Sequence, residues 1–179
     1  MKAIWLLGVL LMTTGDASAA TRESIIDAWM RDYTGRVPGA SVLVLKNGAP
    51  VFQRSYGLAD LEAGVVASST TNYRLASVSK QFTAASLLLL AEDGALSIDD
   101  PVKRWLPSLP AAADGITLRH LLSHTSGLVD YEDLVPAEQT RQVHDADVLR
   151  LLEHEDRLYF PAGSDYRYSN SGYALLALV

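Results

Sequence analysis

A chain of 179 residues with 49% hydrophobic and 20% charged residues is long enough for one domain with a real core and is not disordered. Its complete lack of cysteine excludes disulfides, thiolate catalysis, cysteine metal sites and a lipid-modified N-terminal cysteine. The net charge of −6, with no basic cluster, argues against nucleic-acid binding.

Residues 1–20 have the pattern of an export signal. Lys2 precedes an apolar run from Ala3 to Met12, and Ala17-Ser18-Ala19 is a small-x-small cleavage pattern. The alternative, a membrane anchor, is disfavoured because the run is well short of the roughly 20 apolar residues that span a bilayer. We therefore expect residues 1–20 to be removed, and residues 21–179 to form a periplasmic or secreted protein with no stable membrane span.

The next segments predict a helix followed by a β-hairpin. Residues 21–33 carry apolar side chains at helical spacing, which predicts a short amphipathic helix that ends before Gly35 and packs on the following sheet. Asn47-Gly48 between two strand-like runs is a strong hairpin signal. The first run, ASVLVL, hardly alternates, which predicts burial on both faces. Residues 58–72, with a glycine and a Ser/Thr cluster, are predicted to form a loop.

The rest of the chain is predicted to be mainly helical. Residues 78–96 predict a helix that is apolar on most of its circumference, ends near Gly94 and lies in the middle of the domain. A short helix capped by Thr117 and closed by Gly127 follows, and then another over residues 145–156. A last apolar helix, with Asn170 or Ser171 as its N-cap, reaches Val179 without a polar cap, so we expect the sequence to stop inside a domain.

Ser77 and Lys80 are the first candidates for chemistry. Three residues apart at a helix start, they share a face, and Lys80 stands where an acid would suit the helix macrodipole better. A hydroxyl becomes a useful nucleophile beside a base, and a lysine, whose pKa is ordinarily about 10.4, must have its pKa lowered to act as that base. The alternative is a helix cap and a solvated charge, because a lone Ser-x-x-Lys match arises readily by chance.

Tyr168 and Asn170, in the segment YSN, are the second candidate pair. A phenol, whose pKa is ordinarily about 10, can act as a general base or acid if a neighbouring ammonium stabilises its phenolate. The carboxamide of Asn170 carries donors and an acceptor, which suits it to bind a substrate amide. The alternative is that Asn170 only caps a helix and Tyr168 is an ordinary half-buried aromatic residue.

His120 and His124 lie one helical turn apart and have the spacing of two metal ligands. Leu121 stands where the zinc-protease pattern has a glutamate, and no carboxylate is placed as an obvious third ligand. We therefore predict a structural role, with both histidines hydrogen-bonded near the turn HTSG, and no metal site. His144 and His154 are predicted to be surface residues.

Three segments together resemble the beta-lactamase-related serine hydrolases, which include class C beta-lactamases, D-alanyl-D-alanine carboxypeptidases, D-aminopeptidases and esterases. SVSK looks like the family's Ser-x-x-Lys, YSN looks like its Tyr-x-Asn, and ITLRHLLSHTSGL looks like the stretch between them. Their order and separation also match. The resemblance implies an α/β fold of the α+β type, beta-lactamase/transpeptidase-like, with an antiparallel sheet flanked by helices and an all-helical region beside it.

The resemblance also implies a role for each matched residue. Ser77 would be the acylated nucleophile, and Lys80 would help to deprotonate it. Tyr168 would relay protons to the leaving group and activate the deacylating water, while Asn170 would contact the substrate's amide and Lys80. The titrations of Lys80 and Tyr168 would be coupled, so the base need not be a single residue. No metal and no organic cofactor is implied, and the substrate would be a beta-lactam, a D-alanyl peptide or a small ester.

The chain departs from the family after Tyr168. Members carry a third motif, Lys or His followed by Ser or Thr and Gly, on a later strand that supplies the second oxyanion N–H, and nothing after Tyr168 here matches it. We therefore expect residues 21–179 to form only the N-terminal half of the fold and to have little or no activity alone. An unpaired strand edge and an uncovered apolar face of the last helix would favour association.

The leading hypothesis is an exported serine hydrolase that acts through an acyl-enzyme on Ser77. The alternatives are a penicillin-binding sensor, which is acylated at Ser77 but hardly deacylated, and a non-catalytic scaffold of the same fold. The intact set of candidate residues argues against the scaffold, whereas hydrolase and sensor differ only in deacylation rate. The substrate class and the oligomeric state stay open at this level.

Overall fold

The computed structural model describes residues 22–179, so the predicted export signal in residues 1–20 lies outside the described residues. The described chain divides into two compact units, the first ending at Tyr73 and the second spanning Arg74–Val179. Among residues 22–179, no helix is long and apolar enough to cross a lipid bilayer.

The first unit contains the predicted helix and hairpin. Helix α1 spans Arg22–Trp29, and strands β1 (Ala40–Lys46) and β2 (Ala49–Tyr56) pair antiparallel. Asn47 and Gly48 join them with φ angles of 52° and 78°, the left-handed conformations that the tightest hairpin turns require. Asp27 of α1 pairs with Arg54 and accepts a 2.7 Å bond from the hydroxyl of Tyr56, so the helix packs on the hairpin as predicted.

Two predictions for this unit are wrong. Strand β1 is not buried on both faces, because Leu43 and Leu45 are each 55% exposed and the described residues give β1 only one neighbouring strand. Residues 58–72 are not all loop, since strands β3 (Leu58–Asp60) and β4 (Val65–Val66) form a second small antiparallel hairpin. Strands of three and two residues are too short to display an alternating pattern.

The second unit is helical and has its own core. A 3₁₀ turn, Ala76–Ser79, leads into α2 (Lys80–Glu92), and α3 (Leu118–Leu122), α4 (Asp145–Leu152) and α5 (Asn170–Leu176) follow. Burial of large apolar side chains in this core supplies roughly 1.5–3 kcal/mol each. The buried core side chains are Leu87, Leu96, Val102, Leu106, Leu109, Ala113, Ile116, Leu118, Leu121, Leu128, Val148, Leu152, Ala174, Leu175 and Leu176.

Helix α2 is less buried than predicted, and helix α5 is more buried than predicted. On α2 only Leu87 is buried, whereas Phe82 is 62% and Leu89 60% exposed, so the expectation of burial all round is wrong for the described chain. The apolar side chains of α5, including Leu175 and Leu176, are buried in the core, so the expected uncovered face of the last helix is also wrong. Apolar composition indicates which side chains can be buried, but burial needs a neighbouring element on each face.

The helix caps are partly as predicted. Thr117 caps α3, accepting from the backbone N–H of His120 and donating its own N–H to His120 Nδ1, but the helix ends at Leu122 rather than at Gly127. Ser169, rather than Asn170 or Ser171, caps α5 by accepting a 3.2 Å bond from the N–H of Gly172. The correction matters for the site because the side chain of Asn170 is not used as a cap.

Candidate active site

Ser77 lies on the 3₁₀ turn that precedes α2, at the surface of the second unit. The residue before it, Ala76, has a φ of +46°, in the left-handed region that non-glycine residues rarely occupy. A conformation of this kind costs on the order of 1 kcal/mol or more and persists only where the surroundings enforce it, as they often do at functional sites. The turn therefore holds the Ser77 hydroxyl in a constrained position beside the first residue of the helix.

The hydroxyl oxygen of Ser77 is contacted by two of the other predicted residues. Tyr168 Oη donates to Ser77 Oγ at 2.7 Å, and Lys80 Nζ donates to the same oxygen at 3.2 Å. Lys80 Nζ also donates to Asn170 Oδ1 at 2.7 Å. All four residues that the sequence singled out are thus joined in one hydrogen-bonded group, although Ser77 and Tyr168 are 91 positions apart in the chain.

The electrostatics of this group favour the phenolate of Tyr168. Hydrogen bonding to Lys80 and to Ser77 holds the pKa of Tyr168 below its ordinary value, and the charge of Lys80 acts in the same direction. The ammonium nitrogen also lies 4.8 Å from the centre of the Tyr168 ring and 5.6 Å from that of Tyr173. A cation at this distance from an aromatic face is attracted to it, which helps to keep Lys80 within the group.

The ring of His124 packs against the ring of Tyr168. The two rings lie 4.5 Å apart, and His124 Nδ1 accepts the N–H of Ser169 at 3.2 Å. Burial lowers the pKa of His124, and the charge of Lys80 lowers it further, so the neutral ring that accepts this bond is favoured. The predicted hydrogen-bonding role near the turn HTSG is therefore observed, whereas the stacking on Tyr168 was not foreseen.

The other histidines take the positions that the sequence indicated. His120 completes the capping box of α3, and His144 and His154 are exposed. Within residues 22–179 there is no group of three or more His, Cys, Asp or Glu side chains that could hold a metal ion.

Two acidic residues that the sequence analysis missed contact Asn170. Asp130, which is only 8% exposed, accepts the backbone N–H of Asn170 at 2.6 Å, and Glu132 Oε1 accepts from Asn170 Nδ2 at 2.9 Å. The only sequence signal that could have indicated them is the acidic segment DYED, which closely follows HTSGL. A short acidic turn is ordinarily a solvated surface feature, so the signal is weak.

A cavity of about 280 Å³ adjoins the group on the side of Lys80 and Asn170. Its lining combines polar and apolar groups, among them Thr83, Asp145 and Tyr173. A second cavity, of about 400 Å³, lies near Arg141 and Arg150 and includes none of the four candidate residues in its lining. The first cavity, which Lys80 and Asn170 line, could accept part of a molecule bound at Ser77.

The geometry is suited to nucleophilic chemistry. The pKa of Tyr168 is lowered, and its phenolate form can accept the proton of the serine hydroxyl as that oxygen attacks an electrophile. Lys80 Nζ and Tyr168 Oη both contact Ser77 Oγ, so two groups that can carry a proton lie within hydrogen-bonding distance of the hydroxyl.

Comparisons with known proteins identify the family of the chain. The beta-lactamase family model matches residues 26–179. Protein flp from Staphylococcus aureus (strain COL) is 37% identical over 152 residues, and penicillin-binding protein 4* from Bacillus subtilis (strain 168) is 37% identical over 142 residues. These alignments cover 81% and 78% of this chain, but the chain spans only 30% and 31% of the length of these relatives.

Solved structures give the same result. An octameric penicillin-binding protein homologue from Pyrococcus abyssi is 28% identical with a TM-score of 0.72, covering 87% of this chain and 37% of that one. A D-amino acid amidase from Ochrobactrum anthropi SV3 is 30% identical with a TM-score of 0.65, covering 78% and 38%. The expected mixed α/β fold, of which this chain covers a part, is confirmed. The chain belongs to the beta-lactamase family, whose members share this fold and act as serine hydrolases.

Proposed function

We propose that this protein is an exported serine hydrolase that forms an acyl-enzyme on Ser77. The observation that carries the proposal is the simultaneous contact of Ser77 Oγ with Tyr168 Oη at 2.7 Å and Lys80 Nζ at 3.2 Å. A serine that only caps a helix has no need of either contact. The membership of the family adds support, because its hydrolases work through a serine.

In the proposed reaction, Ser77 Oγ bonds to the carbonyl carbon of the substrate and passes its proton to the pair of Tyr168 and Lys80. The backbone N–H of Ser77 stabilises the negative charge that develops on the carbonyl oxygen. As the bond to the leaving group breaks, Tyr168 delivers the proton to it. A water molecule then attacks the ester carbon and gives a proton to the same pair. The pair returns that proton to Ser77 Oγ as the ester bond breaks, which releases the acid and restores the hydroxyl.

The proposed substrate is a beta-lactam, a D-alanyl peptide or a small ester. Each offers a carbonyl carbon to the serine, and the relatives support the range, since they include proteins named as a penicillin-binding protein and a D-amino acid amidase. The free hydrogen on Asn170 Nδ2 would bind the substrate's amide, and the adjoining cavity would accept its side group. We also propose a periplasmic or extracellular location, which rests on the export pattern in residues 1–20.

The test is intact-mass analysis of the full-length gene product after incubation with penicillin and, separately, with an activated ester. We expect the mass to rise by one acyl group in the wild type and to stay unchanged in Ser77→Ala. The lifetime of the adduct then separates a hydrolase, which loses it quickly, from a penicillin-binding sensor, which retains it. If folded wild-type protein forms no adduct with either reagent, the proposal is wrong and the non-catalytic scaffold is favoured.

A further inference from the structure

We propose that Glu132 is a positioning residue that holds the carboxamide of Asn170 with its oxygen toward Lys80. The inference rests on the proposed function of Lys80 and Asn170. Glu132 touches neither Ser77 nor Lys80 through any described hydrogen bond, and it acts on them only through Asn170.

Both ends of the Asn170 side chain are occupied. Nδ2 donates to Glu132 Oε1 at 2.9 Å, and Oδ1 accepts from Lys80 Nζ at 2.7 Å. An ammonium can only donate hydrogen bonds and an ionised carboxylate can only accept them. A flipped carboxamide would therefore place its NH₂ group against the ammonium and its oxygen against the carboxylate, and both contacts would be repulsive.

Glu132 is held in place by its own turn. Residues Tyr131–Asp133 form a 3₁₀ turn, and Asp130 caps it by accepting the N–H of Glu132. Asp130 also accepts the backbone N–H of Asn170, and the N–H of Tyr131 donates to Ser171 Oγ at 2.7 Å. The turn is thus bonded to the start of α5 through backbone as well as side-chain groups, and the Glu132 carboxylate has a defined place to meet the carboxamide.

The far end of the turn has further anchors. Asp133 accepts from the hydroxyl of Tyr159 and pairs with Arg167 at 3.2 Å. A hydrogen-bond acceptor is held more precisely on an anchored turn than on a mobile loop. These anchors therefore suit Glu132 to positioning Asn170.

The orientation of the Asn170 carboxamide affects both the position of Lys80 and the binding of the substrate. With the oxygen of Asn170 directed to it, Lys80 Nζ is held 3.2 Å from Ser77 Oγ. The second hydrogen of Asn170 Nδ2 stays available for the carbonyl of a substrate amide. Loss of Glu132 would leave the Lys80 bond to hold the carboxamide without its second anchor, so the acceptor of Lys80 and the donor for the substrate would both be less well placed.

The kinetic test compares acylation by an activated ester and by penicillin in the full-length protein. We expect Glu132→Ala to lower the acylation rate by roughly ten- to a hundredfold, since small misplacements of reacting groups have effects of this size. Glu132→Gln keeps an oxygen acceptor at the same reach and should stay within about threefold of wild type. Glu138→Gln, which removes the same charge from an exposed position outside the site, is the matched control and should not change the rate.

A second measurement does not depend on activity. In ¹⁵N-labelled protein, the side-chain NH₂ signal of Asn170 is assigned by its loss in Asn170→Ala, and its hydrogen-exchange rate is followed. Glu132→Ala should shift this signal and speed its exchange, whereas Glu138→Gln should do neither. An unchanged Asn170 signal, or wild-type acylation in Glu132→Ala, would overturn the inference. If the wild type forms no adduct, the proposed function fails, while the signal still decides whether Glu132 positions Asn170.

Discussion

Tyr168 is bonded to Ser77 and lies beside the Lys80 ammonium, and both contacts favour its phenolate. Tyr168 would not have a lowered pKa by itself, because an isolated phenol ionises near pH 10. The lowered pKa of Tyr168 is therefore a property of its contacts with Lys80 and Ser77. The ring of His124 packs against the same phenol ring.

We predict that replacing Lys80 raises the pKa of Tyr168. In Lys80→Met the hydrogen bond and the charge that favour the phenolate are lost, while the aliphatic stem is kept. The measurement is a titration of tyrosinate absorbance, with Tyr168→Phe subtracted to isolate this residue from the other tyrosines. A Tyr168 transition at the same pH in wild type and Lys80→Met would contradict the prediction.

The lowered pKa also predicts how stability depends on pH. The folded state binds the Tyr168 proton less tightly than the unfolded chain, where the phenol titrates near pH 10. The stabilisation from this group therefore grows as the pH rises through the folded-state pKa, is complete above the unfolded value, and is lost as the pH falls. In Tyr168→Phe this contribution should vanish from urea unfolding curves measured across that range.

At the scale of the elements, the start of α5 determines where Asn170 points. Because Ser169 supplies the cap, the first helical residue turns its side chain to Lys80 and Glu132 instead of to its own backbone. His124, in the loop that follows α3, accepts the N–H of Ser169. This bond joins that loop to the start of α5.

We predict that Ser169→Ala lowers the free energy of unfolding by about 1 kcal/mol, the usual cost of losing an N-cap. Ser169 is buried and accepts the N–H of Gly172, so that donor would be left without a partner. Urea denaturation measures the change, with the exposed Ser108→Ala as the control that should be neutral. Equal stability of the two variants would show that Ser169 does not act as a cap.

At the scale of the whole molecule, the second unit has a buried core while apolar side chains of β1 and α2 are exposed. Leu43, Leu45, Phe82 and Leu89 are each more than half exposed. In each unit taken by itself, exposed apolar side chains that form a contiguous patch would be typical of a surface that associates with other protein.

We predict that residues 21–179, purified alone, turn over a chromogenic ester weakly or not at all. The resemblance implies a second oxyanion N–H from a motif that no residue after Tyr168 in this chain matches. Loss of one such donor lowers the rate by about a hundredfold or more. The assay compares this chain with its Ser77→Ala variant, and robust turnover that depends on Ser77 would refute the prediction.

The sequence by itself determined the family, the hairpin turn at Asn47-Gly48, the cap at Thr117 and the set of four candidate residues. These features depend on local rules: a turn needs left-handed conformations, a helix start needs an acceptor, and short motifs keep their order along the chain. It also placed helix α1 against the hairpin, since an amphipathic face needs a partner.

Only the tertiary structure decided which groups meet. The contacts of Tyr168 with Ser77, of His124 with Tyr168 and of Glu132 with Asn170 join residues 91, 44 and 38 positions apart, and no local pattern encodes such a distance. Burial was decided at the same level, which is why the apolar α2 is largely exposed while α5 is packed in the core. Hydrophobicity is a property of the side chain, whereas burial and hydrogen bonding depend on the neighbours that the fold brings to it.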